Sequence, residues 1–386
     1  MIDFSKKIKN SDKFRTPALT YLASGSYCAY PKATTEYYNF WDQEVDRCVN
    51  GYTAEDGDYI TGYNYFYLNY CPIQRLVYTT VNGETKKIRQ AAFPDFYDYD
   101  YYFFQAVEEA ENQGKHMVLT KARRKGYSYK TASMLCRNFF LIPNSKSYVY
   151  ASNKQYLTED GNLTKAWDYM DFIDANTAWG KKRQVANTAM RKRASMLVTD
   201  EFGNKVEMGY KSEIMGVSVK DNPNDVRGKA AKLIVWEEGG SFKELKAAWE
   251  IARPSVEQDG VAFGLMLLFG TGGDEGDNVA GLREAFYDPE AFNCIGFDNI
   301  WDEGAVGGKK CGFFVPQHTN LDIRDSNGNR IYMDDDGNTL HDKARAYILN
   351  LRAKELKSAK DSQQVDRYTA EHAETPAEAF TELSGN

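Results

Sequence analysis

The clearest chemical pattern of the chain is a basic, glycine-containing turn between an apolar run and a helical pattern. Its sequence is Lys121-Ala122-Arg123-Arg124-Lys125-Gly126-Tyr127-Ser128-Tyr129. Phosphate-binding loops occupy such positions, because backbone N–H groups and a helix N-terminus converge there on an anion. In the common pattern GxxxxGK[ST], the lysine reaches the phosphates and the hydroxyl holds Mg²⁺. We therefore predict a phosphate site here, against the alternative of a basic surface turn.

This turn matches the common pattern at two positions and departs from it at two others. Gly126 and Ser128 match the second glycine and the hydroxyl residue, whereas Lys121 replaces the first glycine and Tyr127 replaces the usual lysine. A cation is still needed, since the phosphates are anionic. Lys121 is our candidate for it, and Arg124 and Lys125 remain alternatives.

A pair of acids follows the apolar run Leu233–Trp236, at Glu237 and Glu238. Ligands of open α/β sheets bind at the carboxyl ends of strands. Hydrolysis of a phosphoanhydride needs one acid near Mg²⁺ and another that orients the attacking water. The pair therefore predicts a nucleotide-hydrolysing site, against the alternative of a solvated helix N-terminus, where acids are also favoured.

Apolar runs and helical patterns alternate along most of the chain. The predicted strands are His116–Thr120, Tyr148–Ser152, Lys232–Trp236 and Phe263–Phe269, and the predicted helices are Tyr99–Gln113, Tyr129–Phe140, Leu163–Ile173, Phe242–Ile251 and Asp342–Ser358. Strand-like pieces are also predicted at Tyr63–Tyr70, Met196–Thr199 and Lys205–Val206, and a hairpin turn at Asn82-Gly83 between Leu76–Val81 and Glu84–Arg89. Such alternation predicts an α/β fold, in which a mostly parallel sheet has helices on both faces.

Composition limits the class of protein. The chain has 386 residues, a net charge of −7 and 42% hydrophobic residues, which is typical of a globular protein and not of a uniformly basic one. It has no run of about 18 apolar residues, and its N-terminus lacks the apolar core of a signal peptide. We expect a cytoplasmic protein that is neither secreted nor membrane-bound, with its six cysteines reduced.

Together these motifs resemble the ATPase domain of the large terminase, the DNA-packaging motor of tailed bacteriophages. The turn at 121–128 is similar to the deviant Walker A motif of lambda-type terminases, and Leu233–Glu238 is similar to the Walker B strand with its catalytic carboxylate. Asp225-Val226-Arg227-Gly228 resembles the VRG element, Leu267–Gly273 the coupling motif, and Glu374–Phe380 the element that closes the ATPase half. The resemblance covers residues 91–386, with the motifs in the family's order.

The resemblance implies a P-loop fold of the RecA-like, ASCE type. We divide the chain into a Tyr-rich N-terminal extension (1–90), an ATPase core (91–287) and a lid or linker subdomain (288–386). ATP and Mg²⁺ are the implied cofactors. The implied partners are double-stranded DNA, the portal protein and the small terminase subunit, with assembly as a homo-oligomeric ring on the procapsid in the host cytoplasm.

The chain ends six residues after Phe380, so we expect no nuclease domain and no DNA cleavage. Three other functions are weighed against the motor. They are a superfamily-2-like DNA helicase, a ring subunit that binds nucleotide only as a switch, and a nuclease whose nucleotide fold is vestigial.

The resemblance also implies roles for single residues. Glu238 is the predicted catalytic acid, Thr271 the predicted sensor of the γ-phosphate, and Ser128 and Glu237 the predicted Mg²⁺ ligands. Arg227 is predicted to act on the nucleotide of a neighbouring subunit, against the alternative of an ion pair with a nearby aspartate. Phe93 and Tyr97 are predicted to stack on adenine, with a place in the core as the alternative.

A basic segment is the predicted DNA contact. Its six cations are Lys181, Lys182, Arg183, Arg191, Lys192 and Arg193, which fall within thirteen positions that contain no acid. A motor that moves along any sequence should contact phosphates and not base edges. The alternative is a solvated loop.

Overall fold

The computed structural model describes residues 2–81, 84–219, 222–226, 230–272, 278–302, 309–359 and 361–381. Its strands are β1 (Tyr52–Thr53), β2 (Tyr59–Ile60), β3 (Ile73–Val81), β4 (Glu84–Ala92), β5 (Met117–Lys121), β6 (Lys146–Ala151), β7 (Ala186–Asn187), β8 (Arg191–Arg193), β9 (Met196–Thr199), β10 (Lys205–Met208), β11 (Glu213–Ser218), β12 (Leu233–Trp236), β13 (Glu257–Gln258), β14 (Val261–Ala262), β15 (Leu265–Thr271), β16 (Phe297–Asp298), β17 (Lys310–Cys311) and β18 (Phe313–Val315). Its helices are α1 (Thr16–Ser24), α2 (Thr35–Asn50), α3 (Gly62–Tyr70), α4 (Asp98–Asn112), α5 (Tyr127–Leu141), α6 (Gln155–Thr158), α7 (Asn162–Asn176), α8 (Leu245–Ala252), α9 (Asn278–Tyr287), α10 (His341–Ser358), α11 (Ser362–Glu371) and α12 (Pro376–Ala379).

An eight-stranded sheet organises the chain, in the order β18-β5-β15-β12-β6-β11-β8-β7. Neighbouring strands from β18 to β11 are parallel, and β8 and β7 extend one edge in antiparallel register. The carboxyl ends of β5, β15 and β12 therefore lie side by side at one end of the sheet. The predicted α/β class with a mostly parallel sheet is confirmed.

Both faces of this sheet are covered by a hydrophobic core. Leu233 and Val235 of β12 pack into the core that contains residues of α1–α5 and α7, whereas Ile234 and Trp236 pack into the core of α8 and α9. Successive side chains of a strand point to opposite faces, so a strand buried on both faces needs an uninterrupted apolar sequence. That requirement is why β5, β6, β12 and β15 were predictable.

Residues 62–70 form the helix α3, where the sequence predicted a strand-like piece at Tyr63–Tyr70. Thr61 caps this helix, because its hydroxyl accepts a hydrogen bond from the Asn64 N–H, and every residue of α3 is buried. A helix that is buried on all sides has no polar face, so its sequence shows neither the helical nor the strand period. The prediction was wrong for this reason.

Two strand pairings bear on the predicted organisation of the chain. β3 and β4 form the predicted hairpin, with pairs from Ile73–Ala92 to Val81–Glu84, while Asn82 and Gly83 lie outside the described residues. β18 pairs with β5 and so extends the central sheet. The sheet therefore continues past the expected boundary at residue 287.

A cluster of ion pairs around Asp95 joins three distant parts of the chain. The Asp95 carboxylate lies 2.6–3.4 Å from the guanidinium groups of Arg15, Arg75, Arg324 and Arg330. Burial by itself raises the pKa of Asp95, but Arg75, Arg15 and Arg330 outweigh it and bring the pKa down to about 2. The N-terminal segment, the β3–β4 hairpin and the segment before α10 thus share one carboxylate.

We expect Asp95→Asn to lower the free energy of unfolding at pH 7 by about 2–3 kcal/mol, because four partly buried arginines lose a shared acid while Asp322 still pairs with three of them. The folded-state pKa of about 2 lies below the ordinary 3.8. This stabilisation is therefore present above about pH 4 and is lost as the pH falls through 2. Denaturant unfolding of the wild type and of Asp95→Asn at several pH values measures the difference in their free energies of unfolding. This difference should become smaller towards pH 2.

Asp12→Asn is the matched control for this experiment. Asp12 also contacts Arg15, but its side chain is 62% exposed, so its removal should cost less than about 1 kcal/mol. A loss for Asp95→Asn no larger than that for Asp12→Asn would contradict the role given to the buried carboxylate.

Candidate functional site

The predicted loop lies between β5 and α5, with residues 122–126 joining Lys121 to Tyr127. Gly126 has a φ of 72°, in the left-handed region that favours glycine, and α5 begins directly after it. The first residues of α5 line an open cleft. A helix N-terminus with free N–H groups is therefore presented to the cleft, which is an arrangement suited to an anion.

Tyr127, which occupies the usual lysine position, belongs to the core. Its side chain is 1% exposed, and its ring lies edge-on to Phe103 with the centroids 4.9 Å apart. The Lys130 ammonium lies 4.4 Å from the centroid of the same ring. Tyr127 therefore anchors the start of α5 and leaves the cation of the site to another residue.

Lys121 lies at the carboxyl end of β5, directly beside Thr271 at the end of β15. Its Nζ donates a hydrogen bond to Thr271 Oγ1 at 2.8 Å and lies 3.4 Å from Glu238 Oε1. The side chain is buried, so its charge is held close to these two groups. Of the three cations proposed for the phosphate, Lys121 is the one that the structure brings to both Thr271 and Glu238.

The other cations of the loop either contact other residues or are more exposed to solvent. Lys125 Nζ donates to the main-chain carbonyls of Gln317 at 2.5 Å and Thr319 at 2.7 Å, and burial lowers its pKa to about 7. Arg123 pairs with Glu371 of α11 at 2.6 Å. Arg124 lines the cleft with its backbone at a φ of 60°.

Glu237 and Ser128 form the second contact of the site. The Ser128 hydroxyl donates to Glu237 Oε1 at 2.6 Å, and Glu237 Oε2 is buried without a hydrogen-bond partner. Burial raises the pKa of Glu237 to about 7. The neighbouring Glu238 charge also raises this pKa, whereas the hydrogen bond from Ser128 lowers it. A hydroxyl next to a carboxylate with an unused oxygen is a donor set that fits Mg²⁺.

Glu238 faces a different direction from Glu237, because its backbone turns sharply. Its φ is 52°, which non-glycine residues rarely adopt, and the Ser241 hydroxyl donates to its carbonyl at 2.6 Å. The Glu238 side chain is 33% exposed, whereas Glu237 is buried. Two adjacent acids are thus divided between a buried position and the open cleft.

These groups surround a cleft of about 1010 Å³. Its walls away from the loop come from the β3–β4 hairpin, through Gln74, Leu76 and Arg89, and from the segment after β6, through Tyr156, Glu159, Asp160 and Gly161. Ala122, in contrast, is buried, and its N–H donates to the Val315 carbonyl of β18. Tyr129, at the start of α5, lines the cleft.

Lys165 and Tyr156 also line the cleft, although the sequence analysis did not select them. Lys165 Nζ bonds to Asp160 through both the carbonyl and the carboxylate of that residue, and it lies 4.9 Å from the Tyr129 ring centroid. Lys165 is a buried cation on the face of α7 that also carries Asn162 and Tyr169. The signal that could have identified Lys165 in the sequence was a cation among the apolar positions of a predicted helix.

The structure places Phe93 and Tyr97 away from the residues that line this cleft. Phe93 is 5% exposed and packs against Tyr21, Tyr27 and Phe172. The Tyr97 hydroxyl donates to Asp322 at 3.1 Å. Phe93 therefore lies in the core, which is the alternative to adenine stacking, whereas Tyr97 is half-buried beside Asp322.

The remaining predicted residues are placed as follows. Arg227 and Gly228 lie outside the described residues. The basic segment runs along the β7–β8 edge of the sheet, away from the cleft. Acids from outside the segment reach its three arginines: Arg183 pairs with Asp174, Arg191 with Glu213, and Arg193 with Glu207 and Glu213.

Comparisons with known proteins were made by sequence and by structure. No family model matches the chain, and no curated protein matches it. Among solved structures, the chain is similar to the large terminase ATPase domain of Thermus phage P74-26, at 14% identity over 67% of this chain and 88% of that chain, with a TM-score of 0.42. A single-residue variant of that domain aligns at 14% identity over 69% of this chain and 89% of its own, with a TM-score of 0.45.

The large terminase of bacteriophage HK97 is a second such structure, at 12% identity over 72% of this chain and 50% of that chain, with a TM-score of 0.41. These solved structures belong to the family that the sequence motifs resemble. Among the described residues, no helix has the length and apolar character needed to cross a membrane.

The placement of the loop cations predicts different effects for their removal. We expect Lys125→Ala to lower the free energy of unfolding by about 1–3 kcal/mol, because two buried carbonyls lose their donor. Arg124→Ala should change the free energy of unfolding by less than about 0.5 kcal/mol, since the Arg124 side chain is exposed. Urea unfolding of both variants measures this, and equal losses would show that Lys125 does not anchor the loop.

Proposed function

We propose that this chain is the ATP-hydrolysing motor domain of a large terminase, which moves double-stranded DNA into a viral procapsid. One observation carries the proposal. Lys121, Thr271 and Glu238 meet at the carboxyl ends of three neighbouring parallel strands, with the Ser128–Glu237 pair beside them. These groups supply a phosphate-binding cation, a metal-ligating pair and an acid for the attacking water, the set that ATP hydrolysis requires.

Binding of ATP would begin with the Lys121 ammonium and the N-terminus of α5. The β- and γ-phosphates carry more negative charge than Glu238, so they would draw Lys121 Nζ towards them. Ser128 and Glu237 would hold Mg²⁺, which neutralises phosphate charge when it is bound. As the lysine turns to the phosphate, Thr271 would lose its hydrogen bond from Lys121. Its hydroxyl would then be able to contact the γ-phosphate and act as the sensor.

Hydrolysis would then depend on Glu238. Its carboxylate is open to the cleft and lies 3.4 Å from Lys121 Nζ, so it is close to the bound phosphates. It would accept the proton of the water whose oxygen attacks the γ-phosphorus, while the bond to the ADP oxygen breaks. An acid that water can reach suits this step better than the buried Glu237.

The far end of the cleft would hold the base and the ribose. Leu76 of β3 and Tyr156 of α6 are 60% and 44% exposed and offer apolar surface to the cleft from two different elements. Arg89 of β4 adds a donor there. We place the base beside these side chains and not at Phe93 or Tyr97.

The partners are part of the same proposal. DNA phosphates would contact the basic segment at the sheet edge, where the arginines share their charge with acids and Lys182 is exposed. The other proposed partners are the portal protein, the small terminase subunit and further copies of this chain, which form a ring on the procapsid in the host cytoplasm.

The experiment that tests the function measures ATP turnover with and without duplex DNA, together with strand separation. Turnover without strand separation supports a packaging motor, strand separation supports a helicase, and no turnover contradicts an ATPase.

We expect Lys121→Ala to weaken ATP binding about 10- to 100-fold, because a charge-assisted contact with the phosphates is lost. Titration with a fluorescent ATP analogue measures the dissociation constant. Lys154→Ala is the control, since Lys154 is an exposed lysine outside the lining of the cleft. An unchanged constant for Lys121→Ala would move the cation's role to Arg124 or Lys165.

We expect Glu238→Gln to reduce kcat about 10²- to 10⁴-fold, because the amide cannot accept the proton of the attacking water. The nucleotide dissociation constant should stay within a few-fold, since the shape of the side chain is kept. Glu159→Gln, at an exposed acid of the same cleft, should leave kcat near the wild-type value. Wild-type turnover by Glu238→Gln would exclude it as the catalytic acid.

A further inference from the structure

Lys165 is a buried cation that lines the cleft but has no part in the proposed hydrolysis. It belongs to α7, which follows β6, whereas Lys121 ends β5. Between β5 and β6 the sheet contains β15 and β12. The two lysines therefore approach the cleft from different parts of the sheet, and their ammonium groups are not equivalent.

The first turn of α7 is attached to the first turn of α5, where the phosphate loop ends. The buried side-chain amide of Asn162 donates to the Thr131 hydroxyl at 2.6 Å and to the Ser128 carbonyl at 3.4 Å. Three residues after Asn162, the Lys165 ammonium lies 4.9 Å from the centroid of the Tyr129 ring. These contacts fix Lys165 next to the residues that begin the loop helix.

The ammonium of Lys165 has an incomplete set of partners. The Lys165 side chain is 9% exposed, whereas that of its partner Asp160 is 82% exposed. Nζ donates to the Asp160 carbonyl and, at 3.0 Å, to the Asp160 carboxylate. An ammonium has three N–H donors, and among the described residues the structure shows no third hydrogen-bond acceptor for Nζ. Because an acid that is open to water compensates a buried cation only weakly, a donor and much of the charge remain for an anion.

The position of Lys165 along the cleft indicates which part of a nucleotide it would contact. Lys121 lies beside Glu238, where the γ-phosphate is proposed to bind. Lys165 lies near the proposed metal ligand, since burial raises the pKa of Glu237 and the charge of Lys165 lowers it. Its partner Asp160 follows α6, which carries one of the side chains proposed for the base. Lys165 is therefore placed between the metal ligand and the base, where the α- and β-phosphates belong.

We propose that Lys165 is a second phosphate-binding residue, which holds the α- and β-phosphates that ATP and ADP share. The assignment rests on the proposed function, because it takes a nucleotide as the ligand of the cleft. Acids and cations both line this cleft, so its overall charge does not select the residue. What selects Lys165 is a buried ammonium with a remaining donor and a fixed place beside Ser128. Phosphate oxygens would accept that donor and displace the Asp160 carboxylate into water, since charge-assisted bonds to phosphate are strong.

A comparison of ATP with ADP separates the two lysines. Lys165→Met removes the charge and keeps an apolar stem of similar length. We expect it to weaken the binding of ATP and ADP by the same factor, about 10- to 100-fold, whereas Lys121→Ala should weaken ATP more than ADP. Titration with fluorescent analogues measures the dissociation constants. Constants for Lys165→Met within about twofold of the wild type, or a loss confined to ATP, would overturn the proposal.

A second variant separates phosphate binding from a purely structural ion pair. Asp160→Asn removes the partner acid and leaves Lys165 in place, and asparagine accepts the backbone φ of 56° at this position. If Lys165 served only to hold Asp160, both variants would weaken nucleotide binding. We expect Asp160→Asn instead to tighten ADP binding about two- to fivefold, because a competing carboxylate is lost. Asp160 is exposed, so this variant should fold even if Lys165→Met does not.

Glu159→Gln is the matched control, at the neighbouring acid of the same cleft. It removes the same charge without removing the partner of Lys165, so ADP affinity should stay close to that of the wild type. Weaker ADP binding by Asp160→Asn, or an equal gain for Glu159→Gln, would overturn the proposal.

The wild type keeps a failure of this proposal apart from a failure of the proposed function. Wild-type protein that binds neither ATP nor ADP would contradict both. Binding of both nucleotides without ATP turnover would contradict the ATPase alone, since the Lys165 contact is measured by affinity. Normal turnover with unchanged affinity in Lys165→Met would contradict the Lys165 contact alone.

Discussion

The ammonium group of Lys121 is the contact on which the candidate site depends. It comes from β5, donates to Thr271 of β15 and lies beside Glu238, which follows β12. A buried charge is stable only with partners, and these partners are supplied by different strands. The register of the parallel sheet determines where each strand ends relative to its neighbours, and it places Lys121 directly beside Thr271. The apolar packing that holds the sheet in register therefore also assembles the charged groups.

The shape of the phosphate loop depends on residues from the far end of the chain. The N–H of Ala122 donates to Val315 and the N–H of Arg123 donates to Glu371, so two loop amides are fixed by C-terminal elements. The segment after Thr271, our proposed sensor, has a similar contact, because a Cβ at Gly272 would lie 1.8 Å from the Ala379 carbonyl. A shift of α11 or α12 would therefore move the loop and the sensor together. In the function that we propose, these contacts would connect the nucleotide site to the C-terminal segment.

The parts of this arrangement that are local in sequence were predictable. β5, the loop, α5 and the acids after β12 are each defined by an apolar run next to polar residues within about ten positions, and their order was clear from the pattern. Contacts between distant residues were not predictable. The basic segment contains no acid of its own, yet Asp174 and Glu213 reach it once the sheet has formed. The burial of Phe93 has the same origin, because Tyr21 and Phe172, which surround it, come from α1 and α7.

Glu237 and Glu238 show how backbone geometry gives two identical side chains different chemistry. The residue at the end of a strand that is buried on both faces stays in the interior, where the cost of desolvation raises the pKa of Glu237 to about 7. The next residue leaves the sheet through a left-handed turn with a φ of 52°, and its carboxylate emerges into the cleft. That conformation costs about 1–3 kcal/mol in a non-glycine residue. Its consequence is that one acid meets the Ser128 hydroxyl in the interior while the other meets both Lys121 and solvent water. Two positions in sequence thus become two environments, and the different roles that we propose for them, metal ligand and proton acceptor, follow from the turn itself.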